Sequence, residues 1–320
     1  MRAALVALLR LGAVGALLST LAVFGARHWM FDLIGAFRVQ YVVLLLPALL
    51  VAAWLRRGGL AALFALVIAL HGATIAGSLW SVAGTSPVVD ADATPATLRL
   101  VSANLLASNT GHAATSAMLQ ASEADLLVLL EYTPEWQEVL APLADEWPHR
   151  VERPQQSPFG IALWSRLPLD EVRGIAFDLE GFPSVEASVA VGETRLHVVA
   201  THPVPPMSAR LTARRDAHLD ALGAHLARIE GPRVVAGDFN VTPWSASFAR
   251  LVEKGGLVDA RRGIGLRTTW PTYFPPASIP IDHVLVGGGV RVLGLDSIAG
   301  TGSDHRALVA DLHVGDGGPR

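Results

Sequence analysis

The sequence predicts an α/β domain of two packed β-sheets flanked by helices, preceded by three apolar helices long enough to cross a membrane. Three observations carry this expectation. The first 85 residues are almost free of charge. From residue 98 onward, short β-rich runs alternate with helical ones. Several of the strand-like runs follow one another directly, as strands do when two sheets pack face to face. The implied division is a membrane region at 1–85, a linker at 86–97 and the α/β domain at 98–320.

Residues 1–85 hold seven formal charges: Arg2, Arg10, Arg27, Arg38, Arg56, Arg57 and Asp32. Apolar stretches at 3–24, 39–55 and 60–80 suit a hydrocarbon core roughly 30 Å thick at about 1.5 Å rise per residue. The second is the shortest and contains Pro47, a residue that neighbouring helices accommodate by pairing the freed carbonyl. Trp29, Trp54 and Trp80 fall at segment ends, the level that amphipathic rings favour. A cleaved signal peptide would account for the first stretch and leave the other two unexplained. In a three-span arrangement, Arg2 and the Arg56-Arg57 pair share one side, and Arg27 and Arg38 the other. The free amino terminus and the tight Arg56-Arg57-Gly58-Gly59 turn favour an inside N-terminus. The expectation is a multi-pass plasma-membrane protein with its α/β domain outside. The following segment, rich in Ala, Thr, Pro and Asp, reads as a flexible link.

The charge balance narrows the choice of substrate. Six of the 25 Lys and Arg and one of the 28 Asp and Glu lie in 1–85, which leaves 19 against 27 and a net charge of −8 beyond. Non-specific nucleic-acid binding rests on basic side chains that neutralise phosphates, so this acidity counts against DNA or RNA. Lys254 is the one lysine. There is no cysteine, which excludes disulfides, thiolate metal sites and cysteine nucleophiles.

Strands are expected at 98–103, 126–131, 160–165, 185–191, 195–201, 233–237, 283–286, 290–295 and 307–312. Helices are expected at 112–121, 134–143, 208–229 and 245–254, the second with Pro134 at its first position. No internal repeat or heptad pattern interrupts this order.

Polar clusters punctuate the strand ends, where catalytic groups converge in layered α/β domains. The run 126–130 is apolar throughout and ends in Glu131, a hard oxygen donor of the kind that Mg²⁺ takes once or twice from a protein. Asn104 closes the first strand; alone it reads as a turn residue. In Gly237-Asp238-Phe239-Asn240, residues two apart point the same way, so Asp238 and Asn240 can face one phosphate while Gly237 permits close backbone approach. Asp282-His283 and Ser303-Asp304-His305 precede two further strands; a carboxylate near an imidazole fixes its tautomer and favours its charged form. His202 follows another strand, and Arg166 ends the one before Leu167. Arg214 and Arg215 read as a solvated face early in the long helix.

In this order the clusters resemble the endonuclease/exonuclease/phosphatase superfamily, which includes pancreatic deoxyribonuclease, abasic-site endonucleases, inositol polyphosphate phosphatases and neutral sphingomyelinases. The resemblance runs from residue 98 to 312 and implies a four-layer α/β sandwich with its site at one edge of the sheets. It implies that Glu131 and Asn104 hold the metal, Mg²⁺ or Mn²⁺, the latter through its amide oxygen. Asp238 would orient or deprotonate the attacking water, and Asn240 would donate to the transition-state oxyanion. His305 would contact the phosphate, supported by Asp282, and His202 would lie near the leaving oxygen. Asp304 is either a metal ligand or a holder of the water. Arg166 is structural or phosphate-facing in equal measure. A proline, Pro203, follows His202, and the tyrosine of the nuclease branch has no match here.

Three spans before an outward catalytic domain make the chain similar to actinobacterial membrane proteins linked to teicoplanin resistance. The implied activity is hydrolysis of a phosphate ester or pyrophosphate, on a lipid-linked substrate borne by the bilayer. An anchored nuclease is the alternative, and an inactive binding domain a further one that the intact polar set disfavours. No protein partner is inferred.

Overall fold

Alternate residues along the central strands are apolar on both sides, so each sheet must be covered on both faces. The computed structural model describes residues 2–80, 96–177 and 181–315. The expected linker at 86–97 lies, up to residue 95, outside the described residues. One six-stranded sheet has the order β11 (Arg291–Ile298), β12 (Ala307–His313), β1 (Thr97–Asn104), β2 (Leu126–Leu130), β4 (Ile161–Ser165) and β3 (His149–Arg153). The other has the order β5 (Leu169–Ala176), β6 (Pro183–Val191), β7 (Thr194–Ala200), β8 (Arg233–Asp238), β10 (Asp282–Gly287) and β9 (Val258–Asp259). Both are mixed: β1 and β2 run parallel, as do β7 and β8, and the other pairs are antiparallel.

Leu98, Leu100, Leu126, Val128 and Leu130 from one sheet meet Val198, Ala200, Val234, Ala236 and Val284 from the other in a shared core. The opposite faces are closed by helices. Val101, Leu127 and Leu129 pack on Leu119 of α5 (His112–Ala121) and on Trp136 and Leu140 of α6 (Pro134–Leu140). Val199, Val235 and Leu285 pack on Leu219 and Leu222 of α7 (Ala209–Leu226) and on Phe248 and Leu251 of α8 (Ala246–Gly255). The layers are therefore helix, sheet, sheet, helix. The strands β3, β5 and β9 were not expected. The first two are rich in charge (His-Arg-Val-Glu-Arg and Leu-Asp-Glu-Val-Arg) and form sheet edges, where charge discourages further pairing.

The apolar region forms α1 (Arg2–Ser19), continued by a 3₁₀ turn to Phe24, then α2 (Trp29–Ala36), α3 (Arg38–Trp54) and α4 (Gly58–Leu79). Among the described residues, two helical stretches are long and apolar enough to cross a membrane, Arg2–Phe24 and Gly58–Leu79. A third span results if α2 and α3, bent by 59°, count as one. The helix expected at 39–55 is α3, whereas α2 was not anticipated. Ser19, Arg38 and His71 join α1, α3 and α4 through side-chain hydrogen bonds of 2.9 and 3.0 Å to the His71 ring. Buried polar groups need such partners in an apolar setting.

Arg2, Arg56 and Arg57 border one hollow at the beginning of α4. At the end of α4, some 33 Å away for 22 residues at about 1.5 Å each, the Leu79 carbonyl accepts from the Gly263 amide at 3.0 Å. The Gln40 side chain at the start of α3 likewise donates to the Ser278 carbonyl at 2.9 Å. The sheets and the arginine pair thus occupy opposite ends of the helical bundle.

Candidate active site

Strand direction gathers the polar clusters. β1 and β2 run parallel and end together, with Asn104 the last residue of one and Glu131 just past the other. In the second sheet β8 ends where β10 begins, so Asp238 and Asp282 are directly paired across the antiparallel ladder. β12 runs against β1, which returns the segment before it, with Asp304 and His305, to Asn104. Ser303 fixes that return: its hydroxyl donates to the Asn104 carbonyl at 2.7 Å and accepts from the His305 amide at 3.0 Å.

Local backbone shape reflects the crowding. At Gly237 φ is +153°, and a Cβ there would collide with the Thr201 carbonyl oxygen. Glu131 and Asn240 both adopt left-handed conformations, with φ of 55° and 52°. Asparagine tolerates this region, but glutamate gains nothing local from it. Strain of this kind concentrates at functional sites.

Asp238 is the hub. Its Oδ1 accepts from the Asn240 amide at 2.9 Å, and its Oδ2 faces Asn104 Nδ2 at 3.3 Å, His202 Nε2 at 3.5 Å and His305 Nε2 at 3.7 Å. Burial alone would raise this carboxyl, but His305, His202 and the Asn240 amide outweigh it and hold it below the usual carboxylate range. His305 Nδ1 lies 2.8 Å from Asp282 Oδ2. Burial disfavours the imidazolium, yet Asp282, Asp238 and Asp304 overcome that and push the His305 pKa up to about 10. A ring in this setting is charged at neutral pH.

The side of the site that holds Glu131, Asn104 and Asp304 is equally defined. Glu131 accepts from Asn104 Nδ2 at 3.1 Å and from the Ala107 amide at 2.8 Å. Asn104 Oδ1 accepts from the Leu106 amide at 3.0 Å, so its oxygen would face a cation only after the amide turns over. Asp304 Oδ2 accepts from Trp270 Nε1 at 2.9 Å, while its Oδ1 is buried without a hydrogen-bond partner, as is Asp282 Oδ1. Ligand atoms of Asp238, Asp282 and His305 also lie within 4.8 Å of one another. The short His305–Asp282 contact makes that group a hydrogen-bonded dyad first, since it occupies the ring's Nδ1. The orphaned carboxylate oxygens and an all-oxygen donor set fit a hard divalent cation.

Eight of the nine expected residues converge here: Asn104, Glu131, His202, Asp238, Asn240, Asp282, Asp304 and His305. Arg166 does not. Its strand runs against β2, with Ser165 opposite Leu126 and Ile161 opposite Leu130, so Arg166 and Glu131 lie at opposite ends of the sheet. There its guanidinium stacks over Trp147 at 5.2 Å and faces Glu146 at 3.8 Å, a structural role. Arg215 is not on a solvated face either. It is 2% exposed, and its guanidinium donates to Asp32 at 2.9 Å, Asp216 at 2.7 Å and the Asn240 carbonyl at 3.0 Å.

Some supporting groups had no sequence signal. Thr269 Oγ1 accepts from the Ile281 and Asp282 amides, both at 3.2 Å, and Trp270 orients Asp304. Arg261, fully buried, donates to the Asp282 carbonyl and pairs with Asp259 at 3.3 Å. The site opens into a cavity of about 570 Å³. Its polar end is formed by Glu131, His202, Asp238, Asn240, Asp304 and His305, and a further wall by Trp29, Leu33, Ala36 and Phe37 of the apolar region.

The sequence profile of the endonuclease/exonuclease/phosphatase family matches residues 100–305. A comparison with curated proteins returned no match. Among solved structures, the fold is similar to that of a humanized D. rerio TDP2, with 17% identity, a TM-score of 0.59, and coverage of 68% of this chain and 100% of that one. An endonuclease/exonuclease/phosphatase from Beutenbergia cavernae is 22% identical, with a TM-score of 0.53 and coverage of 68% and 72%. Sphingomyelinase C from Streptomyces griseocarneus is 19% identical, with a TM-score of 0.51 and coverage of 68% and 99%. At these identities the likeness is one of fold.

Proposed function

The chain belongs to the endonuclease/exonuclease/phosphatase family of phosphoester hydrolases, and from that premise we propose a membrane-anchored, divalent-metal-dependent phosphohydrolase acting on a lipid-linked phosphate ester or pyrophosphate. The observation that carries the reaction is the convergence of Glu131, His202, Asp238, Asn240, Asp304 and His305 on one cavity, with Asp282 buried behind His305 and Asn104 bonded to Glu131 and Asp238. Glu131 and Asp304, with Asn104 after its amide turns, would hold Mg²⁺ or Mn²⁺, which when bound neutralises charge on the phosphate.

The chain's own groups do the rest. Asp238 orients a water and receives its proton as the water oxygen bonds to phosphorus. The bond from phosphorus to the leaving oxygen breaks, and His202 gives that oxygen a proton. The charged His305 ring, held by Asp282, and the Asn240 amide stabilise the charge that builds on the non-bridging oxygens.

Helices long and apolar enough to cross a membrane support the lipid substrate, since a tethered site meets bilayer-borne molecules at high effective concentration. The net charge of −8 beyond residue 85 counts against a nuclease. So does the cavity: Arg215 is the one Lys or Arg that lines it among the described residues, and it is paired with Asp32. A screen of lipid pyrophosphates, phospholipids, phosphomonoesters and duplex DNA, each with Mg²⁺ or Mn²⁺, tests the reading. Turnover of a lipid phosphate is expected to exceed the rest; efficient DNA cleavage at physiological salt would replace this reading with the nuclease one.

The proposed orientation puts Arg2, Arg56 and Arg57 inside and the catalytic domain outside. Protease added to intact spheroplasts is therefore expected to release the domain. Cleavage only after permeabilisation would reverse the topology.

A further inference from the structure

We propose that the face formed by Trp29, Leu33 and Ala36 of α2, with Phe37 just past its end, is the subsite for the hydrocarbon chain of a membrane-borne lipid phosphate. This rests on the phosphohydrolase reading above and names what the same site accepts beyond the phosphate.

The spacing is the first reason. Trp29, Leu33, Ala36 and Phe37 recur at the interval of one helical face, and that face lines the cavity. Across from it lie further apolar groups, among them Phe159, Pro205 and Met207. Met207 is 77% exposed and adds accessible apolar surface to this lining.

Continuity is the second. The same cavity reaches His202, Asp238 and His305, so a phosphate at the dyad would have its substituent directed along α2. A volume of about 570 Å³ exceeds what a phosphate needs and falls in the range of small-molecule sites.

Anchoring is the third. The polar groups of α2 are committed to holding it in place. Asp32 accepts from Arg215 at 2.9 Å and from Ser245 Oγ at 2.7 Å, and the Gly35 carbonyl accepts from Trp244 Nε1 at 2.6 Å. Arg215 in turn holds the Asn240 carbonyl, so α2 is tied to the catalytic loop itself. Asp32 also lines the cavity but is paired there with Arg215 and Ser245, and the remainder of what α2 presents to it is hydrocarbon. Because α2 joins two apolar helices of the bundle, the bilayer is the source of the chain it would meet.

Each methylene buried on binding strengthens association about fourfold, so chain length should read directly into kcat/KM. The test uses the full-length protein in detergent with Mg²⁺, and compares dodecyl and ethyl pyrophosphate. Wild type is expected to favour the dodecyl compound. Leu33→Asn, which makes the wall polar, and Ala36→Phe, which fills the space, are each expected to lower the dodecyl-to-ethyl ratio of kcat/KM by roughly tenfold. If wild type favours dodecyl and both variants keep its ratio, the subsite is elsewhere and the lipid reading stands without it. Equal losses on both substrates would assign α2 a structural role and overturn the inference. A wild type with no chain-length preference would remove the lipid reading itself.

Discussion

Asp238→Asn and His305→Ala are each expected to lower kcat by roughly 10³-fold, with the double variant falling little further. Asp238 bonds the Asn240 amide and faces both His202 and His305, while His305 is charged through Asp282 and Asp238. Removing either one disorganises the same transition state, so the second removal has little left to take. Both residues are buried, and His305→Ala leaves Asp282, which is fully buried, without its imidazole. Some loss of stability therefore accompanies that variant. His305→Asn keeps a hydrogen-bond donor in reach of Asp282 and separates the two effects; its thermal midpoint should recover while its kcat does not. Single-turnover rates that simply multiply in the double variant would show that the two groups do not act on one transition state.

Glu131→Gln is expected to reduce kcat/KM at least ~100-fold and to raise the Mg²⁺ concentration needed for half-maximal rate. The substitution keeps the shape of a side chain that accepts from Asn104 and Ala107, so the turn after β2 should survive. What it removes is negative charge at the one site where an acid follows five apolar residues. Chelation of wild type should abolish turnover, and excess Mg²⁺ or Mn²⁺ should restore it. Activity that persists in chelator, or a variant with an unchanged metal requirement, would remove Glu131 from the cation site.

Much of the sandwich was legible because its strands are buried on both faces. Runs such as 126–130 and 234–237 are apolar without a break, and the polar residues that end them needed a reason other than packing. Helix starts were legible for local reasons too: Ser208 and Thr133 cap α7 and α6 by accepting from Leu211 and Trp136 amides. β3 and β5 were not legible, since a charge-rich run resembles an exposed loop until β4 and β6 supply partners. Arg166 stayed open between a structural and a phosphate-facing role because a strand end carries no label saying which end of the sheet it occupies. That depends on the strand's direction, and β4 runs against β2.

The sequence by itself determined which side chains the candidate site is built from: carboxylates, an amide, two imidazoles and an Asp-Phe-Asn motif at the ends of apolar runs, behind a nearly uncharged N-terminal region. These are short-range patterns, set by the two-residue period of a strand and by the length of an apolar stretch. Only the tertiary structure decided that α2 forms a wall of the catalytic cavity and that Arg215 is buried rather than solvated. Asp32 and Arg215 are 183 positions apart in the chain. No local periodicity records a pairing over that distance; it arises only once both elements are folded, when a buried guanidinium must find a carboxylate.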